Sequence, residues 1–198
     1  PVGGRYYDML DPAVHDWQAD LARRHGMHGF CYYHYWFNGA QLLQHPVELI
    51  VERGKPDLPF CLCWANEPWT RAWDGGDREV LMPQAYGGPP EWRQHFQYLL
   101  PIFRDPRYIR VDGKPMFLIY RTASIDRCEE MLAVWSAQAR ENGLAGMHVV
   151  SMLTGFPPDT RQQLFDAFAE FEPMYTLHRV RKPFWARKRE RWSRQWTR

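Results

Sequence analysis

The chain has 198 residues, 45% hydrophobic, 16% aromatic and 24% charged, with a net charge of +2. That length can bury one sizeable core, so a single main domain is expected. No apolar run approaches the roughly 20 residues that a membrane helix needs, and no secretory signal opens the chain, which starts at Pro1.

The first expected element is a helix over 11–26, "DPAVHDWQADLARRHG". "HGFCYYHYWF" (28–37) reads as a strand ended by Asn38-Gly39, and "AQLLQHPVELIVERG" (40–54) as helical, interrupted by Pro46 and closed by Gly54. "PFCLCWANE" (59–67) is the next strand, followed by a long loop from Pro68 to Pro90. "EWRQHFQYLLPIF" (91–103) places Trp92, Phe96, Leu99 and Phe103 at helical steps. A strand over 114–121 precedes a helix over 124–143 that Ser124 can cap and Gly143 can close. Strands over 147–153 and 164–173 follow.

Strands alternating with helices at this spacing imply parallel strands joined by βα units. The chain lacks Gly-x-Gly-x-x-Gly and Gly-x4-Gly-Lys-Ser/Thr, which removes support for a nucleotide-binding sheet. The expected fold class is therefore α/β, of the (β/α)8 TIM-barrel type. A full barrel takes about 250 residues, and only five or six units are present, so an incomplete barrel is expected.

Charge is uneven. From Arg179 onward nine Lys or Arg face one acid, a net +8, which leaves the preceding residues at −6. We therefore divide the chain into a partial barrel (1–177) and a basic Trp/Arg-rich tail or helix (178–198). The tail is read as a solvated helix or linker. Its tryptophans, Trp185, Trp192 and Trp196, leave weak contact with a membrane surface as the alternative, and nucleic acid is not expected as a partner. Cys31, Cys61, Cys63 and Cys128 are expected to be free, buried thiols of a reducing compartment, since Cys-x-Cys is not zinc spacing and no His-Glu-x-x-His occurs. No metal and no cofactor is expected.

In a barrel the site is built from loops at the strand C-termini. Alternation along 59–67 puts Cys61, Cys63, Ala65 and Glu67 on one face and Phe60, Leu62, Trp64 and Asn66 on the other. Small residues suit the barrel interior, so Glu67 is expected to point inward at the mouth. Asn-Glu-Pro at a strand end is also the pattern of the acid/base position in many retaining barrel glycosidases, where Asn binds a sugar hydroxyl and Glu protonates the leaving oxygen. Glu67 either does this or pairs with Arg71 and pins the loop, and we take it as the catalytic carboxylate. Tyr33, His34, Tyr35, Trp36, Trp64, Asn66, Trp69, Trp73, Asp74 and Tyr120 are the expected substrate-binding residues, because aromatic faces stack on sugars and polar edges bond hydroxyls. His34 is equally a structural histidine. Glu170, which shares a face with Glu172, is either a second carboxylate of the site or a solvated strand edge.

The joined segments "GFCYYHYWFNG", "LLQHPVELI", "PFCLCWANEPWTRAWDG", "VLMPQAY", "RDPRYIRVDGKPMFLIYR" and "FDAFAEFEP" resemble the WbsX-like family over roughly residues 3–175. That resemblance implies a glycosyltransferase of bacterial surface polysaccharide or lipopolysaccharide metabolism, related to the glycoside hydrolase family 99-like barrels that include endo-mannosidases. Family members carry a Trp-Asn-Glu-Trp-x-x-Gly-type segment with a further Glu near the last barrel strands. This sequence has none, so no catalytic pair is carried over. The expected partners are a glycan and, for a transferase, an activated sugar donor. The alternatives are an endo-acting glycoside hydrolase and a non-catalytic carbohydrate-binding barrel fragment. The expected location is the bacterial cytoplasm, peripheral to the inner membrane if the tail binds it.

Overall fold

A computed structural model describes residues 6–71 and 76–180. In chain order the elements are α1 (Pro12–Arg24), β1 (Phe30–Phe37), β2 (Ala40–Leu42), α2 (His45–Arg53), β3 (Phe60–Trp64), β4 (Trp69–Arg71), β5 (Gly76–Met82), α3 (Pro89–Arg104), β6 (Arg110–Val111), β7 (Lys114–Ile119), α4 (Cys128–Glu141), β8 (His148–Leu153), β9 (Ala167–Glu170) and α5 (Met174–Val180). The expected boundary at 177/178 falls inside α5, and the tail from 181 lies outside the described residues.

Five strands, β1, β3, β7, β8 and β9, run parallel and lie side by side in the order in which the chain makes them. A doubly wound sheet reverses its order at a switch point, and this one does not. A sequential parallel series is how barrel staves are laid down. Among the described residues the series does not close. β9 ends it on one side, and β1 ends it on the other, where β2 folds back antiparallel on Tyr35–Phe37.

Local chemistry explains most element ends, and tertiary contacts shift the rest. Asp11 caps α1 through its side chain, which accepts from the Ala13 amide. Pro46 does not interrupt a helix over 40–54. It stands in the first turn of α2, where its missing N–H costs nothing, while 40–42 joins the sheet as β2. Gly54 ends α2 in the left-handed conformation, at φ 61°. Ser124 does not cap the following helix, which starts at Cys128. Residues 122–124 make a 3-10 turn instead, Ile125 is fully buried, and the Thr122 and Ser151 hydroxyls bond at 2.9 Å. The expected loop over 68–90 holds the hairpin β4–β5. No α-helix lies between β8 and β9; a 3-10 turn at Gln162–Leu164 leads into β9. There Arg161 fixes the connection by donating to the carbonyls of Thr122, Ile125 and Asp126 while pairing with Asp159.

The core lies between the sheet and the helices. Phe60, Leu62, Trp64, Phe117 and Ile119 meet Trp92, Phe96, Leu99 and Phe103 of α3 and Met131 and Trp135 of α4, all at most 1% exposed. Trp64 reaches Trp135 at 6.0 Å between ring centres, and Phe117 meets Trp135 edge-on at 5.6 Å. The other face of β3 carries the small residues Cys61, Cys63 and Ala65, as barrel geometry requires. All four thiols are free, but Cys31 is exposed rather than buried. The neighbouring Cys61 and Cys63 thiols lower its pKa, against the opposing effect of burial.

At the opposite end of the sheet from the strand C-termini, Asp105 and Arg107 form a buried clasp, with side chains 4% and 8% exposed. Arg107 also donates to the carbonyls of Pro56 and Ile50, both at 2.8 Å, and so ties α2 to the strand entries. Burial pushes the Asp105 carboxyl up, but the Arg107 hydrogen bonds and charge together outweigh it and hold it below its usual value.

Two stability measurements follow from this packing. Trp135→Ala removes a fully buried ring and should cost roughly 3–5 kcal/mol in urea unfolding. Arg107→Ala leaves a buried carboxylate without its partner and should cost about 3–5 kcal/mol at neutral pH. Because the folded-state pKa of Asp105 is depressed, the clasp contributes fully above the ordinary carboxylate range and is lost as pH falls through the folded-state value. The gap between wild type and Arg107→Ala should therefore narrow in acid; a gap that is constant with pH rules out this origin.

Candidate active site

The parallel register decides which side chains share the inner face. Tyr33 lies beside Cys63, and Cys63 beside Leu118, so Tyr33, Tyr35, Glu67 and Tyr120 emerge on one side at the strand C-termini. They line a cavity of about 910 Å³ with Trp69, Arg121, Phe156 and Phe171. Tyr35 and Trp69 meet edge-on at 5.3 Å, Tyr33 and Tyr120 at 6.5 Å, and Tyr120 and Phe171 at 5.5 Å. Burial raises the phenol pKa values of Tyr33, Tyr35 and Tyr120, so each keeps its O–H to donate.

Glu67 is half-buried at this mouth. Burial raises its proton affinity and the Arg121 guanidinium opposes the rise. The ion pair between Arg121 Nη1 and Glu67 Oε2 spans 3.8 Å. Arg71, the partner considered from sequence, pairs with Glu79 at 3.0 Å. Among the described residues that line the cavity, Glu67 is the one carboxylate.

Asn66 positions this pair. Its Oδ1 accepts from the Arg121 amide at 2.7 Å and its Nδ2 donates to the Arg121 carbonyl at 2.9 Å. The side-chain amide thus stands in for a strand residue and extends the β3–β7 pairing past Trp64. Tyr86 completes the arrangement, donating to the Asn66 carbonyl at 2.8 Å and accepting from Nδ2 at 3.2 Å. Gly87, at φ 49°, lets the chain turn here. A Cβ at that position would come within 2.7 Å of Asn38 Oδ1 and 2.8 Å of Glu91.

Several expected site residues lie elsewhere. Asn66 is fully buried with its amide committed to Arg121 and Tyr86, and it is not among the described residues lining the cavity. His34, Trp36 and Trp64 are buried on the helix side of the sheet. His34 Nε2 and His95 Nε2 are 2.8 Å apart, and Trp36 stacks on His95 at 4.5 Å with the rings parallel. Burial pulls the His34 imidazole down to about 3 and also depresses His95, so both are neutral and one donates to the other. Glu170 is exposed on the face opposite the cavity, and Glu172 bonds the Thr176 hydroxyl at 2.6 Å at the start of α5. Trp73 and Asp74 lie outside the described residues. Phe156 and Phe171 were not expected. Ala167 and Ala169 gave a signal for Phe171, since small residues two and four positions before it mark the inward face. Phe156 sits in an irregular segment, where no periodicity points to it.

Among the described residues no group of three or more His, Cys, Asp or Glu is placed to hold a metal ion, and no helix is long and apolar enough to cross a membrane. A second cleft, about 700 Å³ between α1 and β1, is walled by residues such as Trp17, Leu21, Met27 and Phe30, and none of the described residues lining it is a carboxylate.

Comparison with known proteins bears on both the fold and this cavity. The chain is 38% identical over 174 residues to the uncharacterized protein WxcX of Xanthomonas campestris pv. campestris strain B100, and equally to that of strain ATCC 33913. The matches cover 87% of this chain and 25% of WxcX, so the chain spans about a quarter of those relatives. Among solved structures it is similar to the GH99 endo-α-mannosidase of Bacteroides thetaiotaomicron, with TM-score 0.55 and 18% identity over 85% of this chain and 47% of that one. A glycoside hydrolase-like protein gives TM-score 0.59 at 12% identity, covering 83% and 51%. At such identities these structures share the fold, an α/β parallel-strand architecture of the barrel type. The family described as glycosyltransferase WbsX matches over residues 1–197, and the chain belongs to that family.

Proposed function

We propose that this chain forms part of a carbohydrate-active enzyme that makes or cleaves glycosidic bonds in bacterial surface polysaccharide, including lipopolysaccharide. The observation that carries this reading is a half-buried carboxyl with raised proton affinity at the mouth of a cavity walled by six aromatic rings (Tyr33, Tyr35, Trp69, Tyr120, Phe156 and Phe171). Sugars present apolar C–H faces and hydroxyl edges, and aromatic walls with phenol donors bind both. A carboxyl kept protonated donates to the glycosidic oxygen as the bond to it breaks. The WbsX family description supports transfer from an activated sugar donor. An endo-acting hydrolase like the endo-α-mannosidase of shared fold is the second reading, and it would need only water.

Glycosidic chemistry commonly uses two carboxylates, and the described cavity lining contributes Glu67 alone. This favours the view that the chain supplies one wall of the site and that the group opposite Glu67 comes from beyond the described residues. A non-catalytic, sugar-binding role fits the same observation.

Glu67→Gln separates the two. For an enzyme, turnover should fall about 10²- to 10⁴-fold, while oligosaccharide binding, followed by isothermal titration calorimetry, stays about the same. Turnover that survives the change removes Glu67 from the chemistry. The rate should also fall as pH rises through the Glu67 pKa, because the acid form is the active one. Asn66→Ala serves as the contrast. It should lower both turnover and thermal stability, since it unties β3 from β7; loss of turnover with unchanged stability would contradict a positioning role.

A further inference from the structure

We propose that Arg121 forms an acidic-sugar subsite, binding the ring carboxylate of a uronic acid in the glycan that meets Glu67. This rests on the carbohydrate reading above and names the class of sugar.

The first observation is the state of the guanidinium. Arg121 has five N–H donors, and none makes a hydrogen bond to an acceptor among the described residues. Its contact with Glu67, at 3.8 Å, is well beyond the 2.7–2.9 Å typical of a charge-assisted hydrogen bond. Its side chain is 29% exposed, so it is partly withdrawn from water, and its protein contacts are the long ion pair with Glu67 and the Phe156 ring. Two other arginines of this fold show the contrast. Arg107 donates to two backbone carbonyls and to Asp105, and Arg161 donates to three carbonyls and to Asp159. The fold saturates arginines that serve as clasps and leaves this one open toward the cavity.

The second observation is rigidity. Asn66 grips the Arg121 backbone on both its N–H and its C=O. One face of the guanidinium lies on the Phe156 ring, with Cζ 3.9 Å from the ring centre. A guanidinium held flat in this way presents its edge, and the planar two-donor edge matches a carboxylate bidentately. Arg121 is the one cation among the described residues lining the cavity, so an anionic substituent has a single place to go. A ring carboxylate is attached directly to the pyranose, which keeps it within reach of a cation adjacent to Glu67 while the sugar face rests on Tyr120 or Tyr35.

Matched disaccharides test the proposal. Three pairs carry glucuronic, galacturonic or mannuronic acid, or the same residue reduced at its carboxyl to glucose, galactose or mannose. Each is titrated against this protein at neutral pH by isothermal titration calorimetry. The acid of at least one pair should bind about tenfold more tightly than its neutral partner, a difference of about 1.4 kcal/mol. The preference should shrink with added salt, fall to within about twofold in Arg121→Gln, and persist in part in Arg121→Lys, where the charge remains but the fork is lost. Circular dichroism of both variants confirms that they fold. Neutral sugars bound as well as their acids would overturn the subsite and leave the carbohydrate reading intact. An acid preference that survives Arg121→Gln, or a phosphorylated neutral sugar preferred over every uronate, would also overturn it. Binding of none of the sugars would sink both readings together.

Discussion

The side-chain amide of Asn66 is the constraint on which the site depends. β3 ends at Trp64, yet the chain must carry Glu67 up to the mouth of the sheet in a fixed direction. Backbone pairing alone does not do this, because Pro68 removes a donor just beyond. Asn66 supplies the missing rung by bonding both polar groups of the Arg121 backbone. The same contact fixes two neighbouring strand ends, and so it places the one carboxylate and the one cation of the described cavity lining relative to each other.

That rung would be useless on a soft sheet. Behind it, Trp64 is locked against Trp135 and the neutral His34–His95 pair, and the Trp64 indole donates to the Trp36 carbonyl at 3.2 Å. The two histidines bring polar nitrogens into this layer, which is tolerable because each ring satisfies the other and neither needs a charge. At the far end the Asp105–Arg107 clasp ties α2 to the strand entries. Asp159–Arg161 does the same job on the β8–β9 connection, where no helix is present to cover the sheet. Two Asp-x-Arg sequences thus recur as one device. The acid accepts from the arginine side chain and backbone amide two residues on, and the fork of donors reaches carbonyls distant in sequence.

Much of the fold was legible in the sequence. Residues 30–37, 60–64, 114–119 and 148–153 are strands because their runs are apolar or aromatic, short, and bounded by turn residues. Alternation along 59–67 put Glu67 on the inward face with the small residues and Trp64 on the opposite face, where the structure buries it against the helices although it was also expected to bind substrate. The errors came where one residue type serves two layers. Tyr33, Tyr35, His34 and Trp36 all look like sugar-binding aromatics, and only register divides them between the cavity and the core. Glu170 and Glu172 do share a face, but pairing of β9 with β8 turns that face away, and the inward positions belong to Ala167, Ala169 and Phe171.

Taken by itself, the sequence determined the main parallel strands, the helices α1, α3 and α4 and the carboxylate just beyond β3, because local periodicity and turn chemistry are properties of neighbouring residues. Only the tertiary structure decided that Asn66 is a rung between β3 and β7, that His34 is neutral and buried, and that Arg121 stands beside Glu67 with no hydrogen-bonded acceptor for its side chain among the described residues. Those facts depend on partners 20 to 61 residues away along the chain, and only the packing of β3 against β7 and of α3 against the sheet brings such partners within bonding distance.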